Sequence, residues 1–187
     1  MDSGVLVAVI VVVLVVLAVA AVLLWRRRRT GRLQQQFGPE YERTVSRAGD
    51  QRAAEAELAQ RAQRRRELTI APLEPTARDR YQQEWRATQA RFVDDPGGAT
   101  RAADLLVSQL MRDRGYPVDD DFEQQAAVVS VDHPQVVENY RAAHAVHTAN
   151  EQGRAGTDDL REAFVHYRSL FAELLDADGD ESKEAHR

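Results

Sequence analysis

One uninterrupted apolar run, residues 5–24, constrains this chain more than any other feature, because every residue in it is Val, Leu, Ala or Ile. Trp25 follows the run, and four consecutive arginines follow Trp25. A helix of about 20 apolar residues is long enough to cross the hydrocarbon core of a bilayer, which is about 30 Å thick. In lipid a helix satisfies its own backbone groups, so the modest helix propensity of valine matters little. The run therefore predicts a transmembrane helix over residues 5–25.

The charges on the two sides of the run predict the orientation of this helix. Asp2 is the only charged side chain before it, whereas arginines crowd the residues after it. By the positive-inside rule, we expect residues 1–4 outside the cell membrane and residues 26–187 in the cytoplasm. Interfacial aromatic and basic side chains contact anionic lipid headgroups. The residues expected at this membrane interface are Trp25, Arg26, Arg27, Arg28, Arg29 and Arg32.

A cleaved signal peptide is the alternative interpretation of the same segment. Signal peptides carry positive charge before a shorter apolar stretch, whereas here the charge follows a longer one. Residues 18–20, Ala-Val-Ala, resemble a cleavage site, but the residues after them are still apolar. The pattern favours an uncleaved signal-anchor, and an exported, membrane-tethered domain is the alternative.

Composition limits the chemistry of the remainder. The chain holds 25 basic and 30 acidic residues, a formal net charge of −5, and residues 26–29 account for four of the basic ones. The rest is therefore more acidic than the whole chain, which argues against binding to a nucleic-acid backbone. The absence of cysteine excludes disulfides, zinc–thiolate sites and thiol nucleophiles. No glycine-rich phosphate loop is present, and we predict no cofactor.

Apolar residues at helical spacing, divided by Pro and Gly, predict an all-α chain. No segment sustains the alternation of a strand. After the transmembrane helix we expect a long helical stalk and then a compact bundle of about five helices. The predicted segments are a basic tether at 26–38, a stalk at 39–68, a Pro-containing linker at 69–75, a bundle at 76–176 and a disordered acidic tail at 177–187.

Five stretches of this sequence, taken together, resemble an uncharacterised bacterial family that is frequent in actinobacteria. The stretches are FGPEYERTV (37–45), EWRATQARFVDDP (84–96), LLVSQLMRDRGYPVDD (105–120), VSVDHPQVVENYRAAH (129–144) and LREAFVHYRSLFAELL (160–175). Members of that family are membrane-anchored helical proteins. The resemblance implies an N-terminal apolar segment followed by a helical domain, and it implies no activity, cofactor or site residue.

His144, His147 and Glu151 are the candidate metal ligands. Residues three and four apart share one face of a helix, so the two imidazoles and the carboxylate would lie together. Such a set suits Zn²⁺ or Fe²⁺, and His133 or His166 from a neighbouring helix would complete it. The alternative is that these histidines fill a helix interface and hydrogen-bond to their neighbours.

Two further patterns have an ordinary structural interpretation. Asp132-His133 places a carboxylate beside an imidazole, as in an oriented general base, but Asp-His-Pro134 is also a common way to end one helix and start another. The basic cluster of Arg61 and residues 64–66 is interleaved with glutamates, which is typical of a solvated helix face.

These observations favour an interaction protein over an enzyme. The sequence predicts an anchor and a helical domain but no catalytic constellation, so we expect an adaptor- or scaffold-like domain with an unidentified protein partner. The stalk would also allow association of two copies. A metal- or small-ligand-binding bundle centred on His144 and His147 is the alternative function.

Overall fold

A computed structural model describes the backbone of residues 3–118 and 121–184 and the side chains of residues 11–118 and 121–176. Within these ranges the chain forms eight α-helices, and the expected all-α class is confirmed there. Asp119 and Asp120, expected near a helix start, lie outside the described residues, as do residues 185–187. The helices are α1 (Ser3–Phe37), α2 (Pro39–Ala48), α3 (Gln51–Arg66), α4 (Pro75–Arg91), α5 (Pro96–Arg114), α6 (Phe122–Asp132), α7 (Val137–Glu151) and α8 (Thr157–Glu184).

The transmembrane prediction is corrected by the structure. Among the residues that the structure describes, none of the helices combines the length and the apolar character that a bilayer crossing demands. Helix α1 continues without a break through the arginines to Phe37. The side chains of residues 1–10 lie outside the described part. This finding overturns the transmembrane helix at 5–25, the signal-anchor and the single-pass cell-membrane localisation with its orientation.

The end of α1 packs into a small core together with α2 and α3. Gly38 separates α1 from α2, and Gly49 ends α2 in the left-handed conformation at φ 68°. Asp50 caps α3 by accepting a hydrogen bond from the amide of Ala53. These breaks let α2 and α3 fold back as a hairpin. The buried residues of this core are Leu33, Phe37, Tyr41, Leu58, Ala62 and, from α6, Val131.

Residues 26–38, expected as a tether, are thus mostly helical, and the expected stalk is a helical hairpin that packs on α1 and α6. The linker after it is held against the end of α5, where the amide of Ala71 donates to the carbonyl of Arg114. Gly115 ends α5 at φ 94°, and the linker backbone passes so close that a Cβ on Gly115 would lie 2.3 Å from the carbonyl oxygen of Thr69.

The larger core lies among α4 to α8. Trp85 of α4 stacks on Phe164 and Phe171 of α8, with ring centroids 5.1 and 4.6 Å apart. Tyr167 is fully buried in the same core. Phe92, at the end of α4, is only half-buried and packs on Phe164. The aromatic residues spaced along α4 and α8 therefore hold these two helices together.

Helix α6 starts at a capping residue, and α7 and α8 differ from expectation at one end each. Asp121 caps α6 by accepting hydrogen bonds from the amides of Glu123 and Gln124. Pro134 lies in a turn, so α7 begins three residues later, at Val137. Helix α8 continues to Glu184, into residues expected to form a disordered tail. The side chains of α8 beyond Asp176 lie outside the described part.

Candidate functional site

The two predicted histidines of α7 face a carboxylate of α5 that the sequence did not single out. Asp104 lies between them, with 3.8 Å from its Oδ1 to His144 Nδ1 and 3.8 Å from its Oδ2 to His147 Nε2. Glu151, one turn after His147, brings its Oε1 to 3.7 Å from His147 Nε2. The predicted trio therefore lies together around Asp104, at distances longer than a hydrogen bond.

Asp104 is held in its ionised form by its neighbours. Burial raises the pKa of its carboxyl, but His144, the hydroxyl of Tyr167 and the charge of His147 together outweigh burial, so the net pKa lies below the ordinary value. Tyr167 donates to Asp104 Oδ1 at 2.8 Å. On the other side, His144 stacks flat on Phe122 at 3.7 Å between ring centroids. These contacts are those of a helix interface built around a half-buried carboxylate.

The described side chains around His144 and His147 do not form a metal-coordination site. Within the described ranges, no group of three or more His, Asp or Glu side chains is arranged to hold a metal ion. His166 lies near Glu162 on its own helix, 3.6 Å away, and His133 belongs to a different cluster. The buried Nδ1 atoms of His144 and His147 have no hydrogen-bond partner. The metal site stays a prediction from spacing.

Asp132 and His133, at the end of α6, contact Tyr116 and side chains of α3 and α8. The Tyr116 hydroxyl donates to Asp132 Oδ2 at 2.7 Å and lies 3.1 Å from His133 Nε2. The other ring nitrogen of His133 is 3.4 Å from Glu173 of α8. Arg65 of α3 donates to the same carboxylate of Asp132. The Tyr116 hydroxyl, Asp132 Oδ2 and both ring nitrogens of His133 each contact a neighbour, which supports the structural interpretation of the Asp-His pair.

Burial decides the protonation of His133. It lowers the pKa of the imidazole, and the nearby carboxylates Glu173 and Asp132 compensate only in part, so the net pKa lies below the ordinary 6.5. A neutral imidazole beside a phenol and a carboxylate helps to position them. The same burial, together with Asp132, raises the pKa of the Tyr116 phenol.

The deepest polar cluster was missed by the sequence analysis. Glu40 of α2 is 1% exposed and accepts hydrogen bonds from Arg61 of α3 at 2.7 Å and from Arg141 of α7 at 2.8 and 3.0 Å. Both arginines are themselves buried. At the rim, Glu57 pairs with Arg61 and Glu138 pairs with Arg141. We call this set of five side chains the Glu40 cluster.

The Glu40 cluster corrects the interpretation of the basic residues of α3. Arg61 is buried and Arg65 is half-buried, and both bind carboxylates, whereas Arg64 and Arg66 are exposed. One face of this helix thus packs on the protein, and the other face is exposed to solvent. No local pattern predicts such burial, because the partners of Arg61 and Arg65 lie on other helices.

The side chains predicted at a membrane interface lie in the C-terminal half of α1. Trp25 is 61% exposed, and the guanidinium carbon of Arg29 lies 5.7 Å from the centroid of its ring. The apolar side chains before Trp25 are also exposed on all sides of the helix, from Val11 onward.

A surface groove lined mainly by apolar side chains lies between α4 and α8. Its volume is about 180 Å³. Phe92 and Phe164 form its base, and Val93, 83% exposed, and Val165, 44% exposed, form its walls. Polar side chains stand at its rim, namely Gln89, Arg161 and Arg168. We call this surface the Val93 groove.

Comparison of the chain with protein-family models, with curated proteins and with solved structures finds no match.

Proposed function

We propose that the protein is a helical interaction module, and that the Val93 groove receives a segment of a partner protein. The observation that supports this most directly is the exposure of Val93 beside a half-buried Phe92. An apolar side chain this exposed gains free energy when a partner covers it, at about 25 cal/mol for each Å² removed from water. The groove has room for one aliphatic or aromatic side chain, which is the usual size of an interface anchor.

The charge at the rim indicates the chemistry of the partner. Arg161 and Arg168 are exposed two turns apart on α8 and flank the apolar base. Arg161 contacts Asp158 of its own helix, an exposed pair of little energetic value. Guanidinium groups at the rim favour carboxylates on the partner and steer its approach. The occupant that fits is an acidic segment carrying one large aliphatic side chain.

The first experiment tests this chemistry with synthetic peptides and the full chain. The probe is a short helical peptide rich in Glu with Leu on one face, and binding is measured from the methyl NMR shifts of Val93 and Val165. We expect the probe to shift both methyl groups. A Glu-rich peptide with Ala in place of Leu, and a Lys-rich peptide that keeps Leu, should leave them unchanged. Equal shifts with all three peptides, or no shift with any, would refute the proposal.

A pair of variants tests the location. Val93→Asp places a charge in the groove, and Leu105→Asp places the same charge at another exposed apolar residue, on α5. Both positions are exposed, so both variants should fold. Binding of the probe should be lost in the first and retained in the second. Equal loss of binding in the two variants would contradict the assignment. Dimerisation of the unmodified chain that Val93→Asp alone abolishes would also contradict it, because the groove would then hold a second copy.

A further inference from the structure

We infer that a second site, between α1 and α3, binds an organic anion: a phosphate group attached to an apolar part. The two helices leave a cavity of about 380 Å³ between them, comparable to small-molecule sites in other proteins. On α1 the lining residues recur every three or four positions, and so do those on α3, so one face of each helix forms each wall. The residues that decide its chemistry are Trp25, Arg28, Arg29, Arg32, Leu33, Ala59, Ala62 and Arg66.

The arginines of this α1–α3 cavity form no ion pair with a carboxylate in the described part of the chain, and Arg66 donates only to the carbonyl of Ala62 at 3.3 Å, whereas two neighbouring arginines of α3 do form ion pairs. On α3, Arg61 and Arg65 bind Glu40 and Asp132. In the described part of the chain no salt bridge engages any of the four arginines of the cavity, Arg28, Arg29, Arg32 and Arg66. The cavity lining contains no carboxylate either. Four positive charges around one opening favour an anion of more than one negative charge.

Glu55, the carboxylate on which the charge of Arg29 acts, is already engaged. One oxygen of its carboxylate accepts hydrogen bonds from Thr30 at 2.7 Å, Tyr41 at 3.1 Å and Gln51 at 2.9 Å. These contacts hold Glu55 outside the cavity, where it lines a separate opening with Arg26 and Arg52. The guanidinium groups of the α1–α3 cavity therefore lack an internal counter-ion.

The walls below the arginines are apolar. Leu33 and Ala62 are buried at the base, and Ala59 is half-buried beside them. Trp25 stands at the mouth, where its ring offers an exposed apolar face. Guanidinium groups bind phosphate through paired hydrogen bonds, and the base accepts alkyl groups. A ligand with a charged head and an apolar body satisfies both parts.

The test is calorimetric titration of the full chain with hexyl phosphate, with inorganic phosphate as the comparison. Because each buried methylene contributes about 0.8 kcal/mol, we expect hexyl phosphate to bind at least about tenfold more tightly. A lipid headgroup presents the same chemistry, so a soluble short-chain phosphatidate forms a third arm. Tighter binding of the phosphatidate assigns the cavity to a diacyl lipid, and tighter binding of hexyl phosphate assigns it to a free alkyl phosphate. Equal affinity for inorganic and hexyl phosphate would overturn the inference.

A matched pair of variants locates the binding. Arg66→Gln removes one charge from the cavity, and Arg64→Gln removes the same charge from an exposed position of α3 outside it. We expect the first to weaken binding of hexyl phosphate about fivefold or more and the second to change it little. Circular dichroism of both variants verifies the fold. If both lower the affinity equally, the binding is a general effect of charge and the site is refuted.

Discussion

Glu40 of α2 and Arg141 of α7, 101 residues apart in the chain, form a bidentate ion pair that is almost fully buried. Arg61 shares the same carboxylate, so one negative charge balances two positive ones inside the protein. Glu57 and Glu138 supply the remaining negative charge from the rim. The hairpin of α2 and α3 is therefore attached to the bundle by charge as well as by its apolar side chains.

Replacement of Glu40 by alanine should destabilise the protein strongly. The change leaves two buried guanidinium groups without their central partner, and breaking a buried pair in this way costs about 3–5 kcal/mol. The measurement is urea unfolding of the full chain. Glu42→Ala, on the exposed side of the same helix, is the control and should change stability by less than about 1 kcal/mol. Similar losses in the two variants would show that the Glu40 cluster contributes no special stability.

Acid should remove the contribution of Glu40. Burial raises the pKa of this carboxyl, but hydrogen bonds and charges from Arg141 and Arg61 outweigh it, so the net pKa lies below the ordinary 4.5. A lowered carboxyl pKa stabilises the fold fully above 4.5, and that stability is lost as the pH falls through the folded-state value. The difference in unfolding free energy between the unmodified chain and Glu40→Gln should therefore shrink below pH 4.5. A difference independent of pH would contradict this prediction.

His133 should destabilise the protein in mild acid. Its folded-state pKa is below 6.5, so the unfolded chain takes up the proton first, and stability falls as the pH drops from 6.5 through the folded-state value. An NMR titration of the imidazole should give a pKa under 6.5. His133→Gln should flatten the dependence of stability on pH in this range. A folded-state pKa above 6.5 would reverse the predicted sign.

Gly115 should be far less replaceable than Gly153. Both have positive φ, at 94° and 65°, so an alanine at either position is strained by about 1–2 kcal/mol. At Gly115 a Cβ would also meet the carbonyl oxygen of Thr69 at 2.3 Å, while at Gly153 nothing lies within 4 Å. Gly115→Ala should therefore lower the thermal midpoint clearly more than Gly153→Ala. Equal shifts would mean that the linker moves aside at no cost.

The helices were predictable where Gly, Pro or a capping residue marks their ends. The polar contacts between helices were not predictable. Gly115 ends α5, for example, because the left-handed φ that this helix end requires is a local property. His144 and His147 were placed together for the same reason. Asp104 and Glu40 could not be found in this way, since each acquires its partners only when distant helices pack. Arg61 was interpreted as solvated because a charged run on a helix usually is, and only the fold of the hairpin buries it.

Helix α1 runs for 35 residues without a hinge, about 50 Å of rigid rod, and its last turns are anchored in the small core by Leu33 and Phe37. Any contact made by the N-terminal end of α1 therefore fixes the orientation of the helical domain as well as its distance from that contact. A flexible linker would allow the domain to adopt many orientations. A continuous helix instead transmits a rotation or tilt from one end to the other.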